Sequence, residues 1–176
     1  MTTLKTERLI LRPHDLSDAE RISLFTSDPA VARMTCSIPY PNPAIAAEGR
    51  ILLQQARSPW SGEIGFAVDL PGEGLIGSVG GAWSQGRFEI GYWIGRPWWR
   101  RGFATEAVQA LLKHLEATGV KAVHASVFLD NTAAAHILGK LGFVREGEPR
   151  RTFSLARGGE APSWALLRSA EARAAA

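Results

Sequence analysis

Apolar positions recur along this chain with two different periods, and the switches between them mark out its elements. Leu9, Ile10 and Leu11, closed off by Arg12 and Pro13, predict a first short strand. Ser17-Asp18-Ala19-Glu20 has the form of a capping box, in which a hydroxyl and a carboxylate three residues apart satisfy free amides at a helix start; it predicts a helix to about Ser27. Prolines 39, 41 and 43 predict a loop from Ser37 with Tyr40 at its tip. Asn42 then caps, and Pro43 opens, a second helix through Gln54 and Gln55. From Glu63 the period shortens: IGFAVDL, LIGSVGGAW and RFEIGYWIG, separated by Pro-Gly-Glu-Gly and Ser-Gln-Gly turns, predict an antiparallel three-stranded meander. Ala107, Val108, Leu111, Leu112 and Leu115 then form one face of a helix from about Ala104 to Thr118, ended by Gly119. KAVHASVFL predicts a strand, NTAAAHILGKLGF a helix stopped by Gly142, and the stretches Phe143 to Arg145 and Ser163 to Leu167 two closing strands.

Strands and helices alternate without repeat or linker, which predicts one α/β domain over residues 1–168 and a frayed tail over 169–176. At 176 residues with 45% hydrophobic and 21% charged positions, the chain can sustain a core without disulfides or a structural metal. A single cysteine, Cys36, excludes an internal disulfide and a multi-thiolate zinc site and fits a reducing compartment; with no apolar run of membrane-spanning length, the expectation is a cytoplasmic protein without a membrane partner. The formal charge of +3 is too small to argue for nucleic acid, and it draws attention instead to where the arginines gather, at Arg96, Arg100 and Arg101.

Trp98-Trp99-Arg100-Arg101-Gly102-Phe103-Ala104 lies between a strand and the best-defined helix, with Thr105 and Glu106 in that helix's first turn. Such a junction suits an anion: free amides and the positive end of the helix dipole face it, and Gly102 removes a side chain that would block close approach. The competing reading is a plain turn with solvated arginines. Neither G-x-x-x-x-G-K-[ST] nor G-x-G-x-x-G occurs, so an ATP-type phosphate loop and a dinucleotide fingerprint are both excluded.

The run EIGYWIGRPWWRRGFATEA, followed by SVFLDNTAAAHILGKLGF, resembles the acetyl-coenzyme-A-binding core of the GNAT acetyltransferase superfamily, and within it the RimJ/RimL-like, ribosomal-protein-alanine acetyltransferase branch. The resemblance extends from TERLILRP to the final strand. It implies a GNAT fold: a mixed, mostly antiparallel sheet of six or seven strands whose fourth and fifth strands splay apart, flanked by about four helices. It implies acetyl-CoA as acetyl donor and no metal. The pyrophosphate would lie on the amides of Arg100, Arg101, Gly102, Phe103, Ala104 and Thr105, with Trp99 beside them. The pantetheine arm would pair with the backbone near Trp93 and Ile94, and Asn131 would hydrogen-bond that arm as well as capping its helix.

Transfer to an amine requires a proton acceptor, a polarised carbonyl and a fate for the departing thiolate. Glu89, on the strand leading to the turn, is the candidate base, acting through water; the alternative is a rim carboxylate near Arg87. The family's usual acids are missing, since their positions hold Leu138 and Ala134, and His136 lies on a different helix face from Ala134. Protonation by solvent is then the expectation. His124 and Tyr40 are the candidate acceptor-site residues, each with a packing role as its alternative. A Cys36 acetyl intermediate is disfavoured, because no histidine lies nearby in sequence. The function expected is acetyl-CoA-dependent N-acetylation of a primary amine, on a protein N-terminus or a small molecule, by direct attack. A non-catalytic acyl-CoA-binding or sensing module is the alternative, and an RNA-associated protein a minor one. Both a monomer and a homodimer are compatible with the sequence.

Overall fold

The computed structural model describes residues 2–169, with residues 59 and 60 in backbone only. The elements run β1 (Leu4–Lys5), β2 (Ile10–Arg12), α1 (Ala19–Thr26), α2 (Pro29–Ala32), α3 (Ala44–Ser61), β3 (Ile64–Leu70), β4 (Gly74–Ser84), β5 (Arg87–Ile94), α4 (Phe103–Ala117), β6 (Ala122–Phe128), α5 (Thr132–Lys140), β7 (Val144–Arg145), β8 (Arg150–Ser154) and β9 (Gly159–Ser169). Three-residue 3-10 turns precede α1 and follow β5. One sheet takes the order β1-β2-β3-β4-β5-β6-β9-β7, with β8 on β9, and every pairing is antiparallel except β5 with β6. The larger core lies between the sheet and α4 and α5, around Phe88, Ile90, Val108, Leu111, Leu115 and Leu138. A smaller one joins Ala19 and Ile22 of α1 and Ala47 and Ile51 of α3 to Ala67 and Leu75. All five apolar positions read for α4 are buried.

Several local expectations change. The sheet has nine strands instead of six or seven, and five α-helices flank it instead of about four. Two strands were missed outright: β1, only two residues long, and β8, which hides a polar residue and shows an aromatic, since Ser154 is buried, its hydroxyl donating to the Thr35 carbonyl at 2.8 Å, while Phe153 is exposed. The missed helix α2 is only four residues long and is capped by Asp28. Ser17 does not cap α1. Asp15 caps the 3-10 turn ahead of α1 instead, accepting from the Ser17 amide at 2.9 Å while the Asp18 carboxylate, held from the other side by Arg12, accepts from the Asp15 amide at 2.8 Å; α1 itself follows Asp18 without a side-chain cap. Asn42 does not cap α3 either. It is buried, and its side-chain amide donates to Thr26 Oγ1 at 2.7 Å, pinning the loop to the end of α1. Ser169, assigned to the tail, pairs with Ala122 at the end of β9, and residues 170–176 lie outside the described residues.

Candidate active site

β5 and β6 run parallel but pair only at Phe88 with Val123 and Glu89 with His124. Beyond those positions the strands part, because β6 keeps its pairing with β9 along its whole length while β5 keeps its own with β4. The result is a wedge, closed beside Glu89 and open toward the turn that follows β5. Gly95 donates to the Ile76 carbonyl of β4, so strand alternation turns the backbone groups of Trp93 toward β4 and those of Tyr92 and Ile94 toward the wedge. Of Trp93 and Ile94, only Ile94 turns its backbone groups toward the wedge. Its carbonyl already accepts from the Trp99 indole at 2.6 Å, which fixes that ring across the mouth of the wedge. The Trp93 side chain packs on the α1–α3 core.

At the open end the turn is shaped for an anion. Arg100 and Gly102 both adopt left-handed backbone conformations, at φ 60° and 81°. Alternating left-handed residues turn successive amides to one side. The first amide of α4 accepted by a preceding carbonyl is that of Glu106, on Gly102. Among the described residues, nothing accepts from the amides of Arg100, Arg101, Gly102, Phe103, Ala104 and Thr105. A Cβ on Gly102 would lie 3.2 Å from the Arg8 guanidinium in a backbone conformation that side chains rarely adopt. Arg100 and Arg101 are exposed, and the Arg101 guanidinium lies over the Phe103 ring, whereas Arg96 pairs at 3.7 Å with Asp28 and stands apart from them.

A clamp that the sequence reading missed holds this turn. Glu106 accepts from Thr6 Oγ1 at 2.6 Å, from the Arg8 amide at 2.9 Å and from the Arg8 guanidinium at 2.7 Å; Arg8 also donates to the Arg101 carbonyl and covers Phe103. Burial pushes the Glu106 carboxyl up, but the hydrogen bonds from Thr6 and Arg8 hold it below its ordinary value. The signal was the pairing of Thr6-Glu7-Arg8 with an acidic first turn about a hundred residues later, which no local pattern links.

On the other face of the sheet, Glu89 is exposed at the closed end of the wedge, beside His124 in register. His124 Nδ1 lies 3.1 Å from the Glu146 carboxylate, which the Arg87 guanidinium approaches at 3.8 Å. A proton on Nδ1 donated to Glu146 leaves Nε2 as an acceptor in the neutral ring. Arg87 thus serves Glu146 and leaves Glu89 without an ion pair among the described residues. The loop after α2 roofs this region. Cys36 lies within electrostatic reach of Glu89, and its thiol is pushed up, first by burial and then by that carboxylate. Such a thiol is a poor nucleophile.

The roof is tied down by residues from two distant segments. Arg157 donates to the Arg33 carbonyl at 2.8 Å and to Asp130 at 2.8 Å, Arg33 pairs with Asp130 at 2.7 Å, and the Leu155 amide donates to the Cys36 carbonyl. Ile38 is buried and Tyr40 is exposed, so the packing alternative for Tyr40 does not hold. Asn131, next to Asp130, caps α5 by accepting from the Ala134 amide at 3.1 Å, and its side-chain NH2 has no partner among the described residues. His136 is exposed. Among the described residues, no group of three or more metal-ligating side chains comes together, and no helix is long and apolar enough to cross a membrane.

A strand wedge ending in a helix start with free amides has the geometry that suits an extended, anionic ligand. The chain belongs to the GNAT acetyltransferase family: the acetyltransferase (GNAT) domain profile matches residues 8–144. That membership makes it an acyltransferase with acetyl-CoA as donor. It is 31% identical to the uncharacterized N-acetyltransferase p20 of Bacillus licheniformis over 84% of this chain and 85% of that one. It is 33% identical to the uncharacterized N-acetyltransferase YoaA of Bacillus subtilis over 84% and 86%. A GNAT acetyltransferase from Bacillus anthracis superposes with a TM-score of 0.81 at 22% identity, covering 97% of this chain and 99% of that one. RimJ of Mycobacterium smegmatis, in complex with CoA-disulfide, does so with 0.80 at 21% identity over 97% and 88%. The microcin C7 self-immunity acetyltransferase MccE, in complex with acetyl-CoA and AMP, gives 0.80 at 16% identity over 93% of each chain.

Proposed function

We propose that this protein transfers the acetyl group of acetyl-CoA directly to a primary amine, either a protein N-terminal α-amine or a small-molecule amine, in the manner of the RimJ/RimL branch. The observation that carries the reading is the row of unpartnered amides from Arg100 to Thr105, opening onto the wedge between β5 and β6. Those amides and the dipole of α4 bind the pyrophosphate, with Arg100 and Arg101 adding charge. The pantetheine arm lies along the Tyr92 and Ile94 edge of β5, as an added strand would, and takes a hydrogen bond from the free side-chain NH2 of Asn131. Trp99 closes the mouth of the wedge.

Glu89 accepts the amine proton through water at the closed end, where the acetyl group arrives. His124, oriented by Glu146, and Tyr40 on the roof line the acceptor's approach. A fold neighbour described as a ribosomal-protein-S5-alanine acetyltransferase of Vibrio fischeri is consistent with a protein amine as acceptor, while the exposed rim around Tyr40 also admits small amines. Incubation with acetyl-CoA and a panel of peptides and metabolite amines tests the reading, with thiol release and product mass as readouts. The expected result is one thiol per acetylated amine. Stabilisation by CoA without thiol release on any amine would refute it.

A further inference from the structure

Tyr92 carries the one buried side-chain polar atom without a hydrogen-bond partner among the described residues, its hydroxyl. A buried polar group left in this state costs stability, and in native proteins it marks either an unseen partner or a role. Its place in the fold points to a role. Tyr92 lies three positions beyond the last β5–β6 pair, where the wedge has opened, and its backbone groups face the wedge. Its ring packs on the α4–α5 side, opposite to the face that carries Glu89. Along β5 the order is Glu89, Tyr92, Ile94 and then the anion turn, so a ligand extended from the turn along β5 passes Ile94 and Tyr92 before it reaches Glu89. On α5, Ala134 and Leu138 pack against this same core and offer no donor of their own.

Resting on the reading of the wedge as the acetyl-CoA site, we infer that the Tyr92 hydroxyl is the donor that receives the thiolate: it hydrogen-bonds the coenzyme sulfur as the carbon–sulfur bond breaks. The amine nitrogen bonds to the acetyl carbon, the electron pair of the broken bond goes to sulfur, and the amine proton leaves by way of Glu89 and water. Sulfur takes its own proton from solvent on release. Tyr92 keeps its proton throughout, since burial pushes its ionisation above the ordinary range, far above that of a thiol near 8.5. A bond to a thiolate is stronger than one to a neutral thioester, so the contribution belongs to the transition state.

Tyr92→Phe keeps the ring and removes the hydroxyl, and the inference gives it effects of opposite sign. Without ligand, the variant melts a few degrees higher than wild type, because the penalty of the unmet hydroxyl is relieved. With acetyl-CoA, kcat falls about 10- to 100-fold while KM for acetyl-CoA changes little, as for the loss of a charge-assisted hydrogen bond. The thiol of bound CoA, followed by its thiolate absorbance, titrates at higher pH in the variant than in wild type. A lower melting temperature for the free variant would show that the hydroxyl already has a partner and would overturn the inference. Unchanged kcat and thiol titration, in a protein whose wild type turns over, would overturn it while leaving the proposed function intact. A wild type that neither binds acetyl-CoA nor releases thiol removes the proposed function and this inference together.

Discussion

The turn at the head of α4 and the roof over Glu89 flank the same wedge, yet they are built in opposite ways. The turn is six consecutive residues whose backbone amides are left without acceptors among the described residues, and one clamp from Thr6 and Arg8 secures it through Glu106. The roof is a loop with little structure of its own, held by side chains from the α2 end, the start of α5 and the β8–β9 hairpin. Backbone donors do not change when side chains do, so a site made from them survives sequence drift so long as the turn conformation is kept. A wall made from side chains changes with each substitution. On the proposed reading, the wedge therefore pairs a donor side made from backbone with an acceptor side made from side chains.

The strongest way to break this contrast is to attack the backbone conformation itself. Gly102→Asp places a Cβ at positive φ beside Arg8 and a carboxylate among the amides, and it is expected to abolish the rise in melting temperature that acetyl-CoA gives the wild type. An undiminished rise would place the phosphates elsewhere.

Glu89→Gln tests the closed end, where the two sides meet. The expected loss in kcat/KM is about 10²- to 10⁴-fold at neutral pH, shrinking as pH rises through the pKa of the amine, with acetyl-CoA binding unchanged. A wild-type rate and pH profile would transfer the base role to the His124–Glu146 pair, whose geometry already suits it.

Tyr40→Phe isolates the roof. Loss of one hydroxyl contact is expected to raise the acceptor KM about two- to tenfold and to leave the affinity for acetyl-CoA alone. A fall in kcat with KM unchanged would instead bring the hydroxyl into the chemistry.

The smallest effect concerns the clamp. Glu106 is held below its ordinary pKa in the folded state, so its contribution to stability is present above the unfolded value and is lost as pH falls through the folded one. Glu106→Gln is expected to lower the melting temperature by a few degrees near neutrality, about 2–4 °C per kcal/mol, and the difference from wild type should close in acid. A difference that persists at low pH would mean that shape rather than charge makes the clamp.

The elements easiest to read were those in which a single physical signal spans many residues. The α4 stripe, the three-strand meander and the glycine turn each combine a period with its own punctuation, and each falls within a residue or two of its expected place. The elements that escaped obey distant partners. β8 buries Ser154 because Thr35 offers it a carbonyl, Asn42 points inward because Thr26 is there, and Ser17 yields the cap to Asp15 because Arg12 fixes Asp18. Trp93 was read by position in a strand, but its backbone groups turn to β4 through an alternation set by the pairing at Gly95.

What the sequence by itself determined is therefore the local frame: an alternating α/β chain, a helix start with free amides, a glycine where positive φ is needed, and a carboxylate one strand earlier. These follow from backbone sterics and from apolar periods, which act over a few residues and can be read along the chain. Only the tertiary structure decided that β5 and β6 part after Glu89, that Arg8 and Glu106 lock the turn, that Asp130 and Arg157 hold the roof, and that the Tyr92 hydroxyl has no partner among the described residues. Each of those depends on groups tens of residues apart that compete for the same hydrogen bonds, and the outcome is settled by packing in three dimensions.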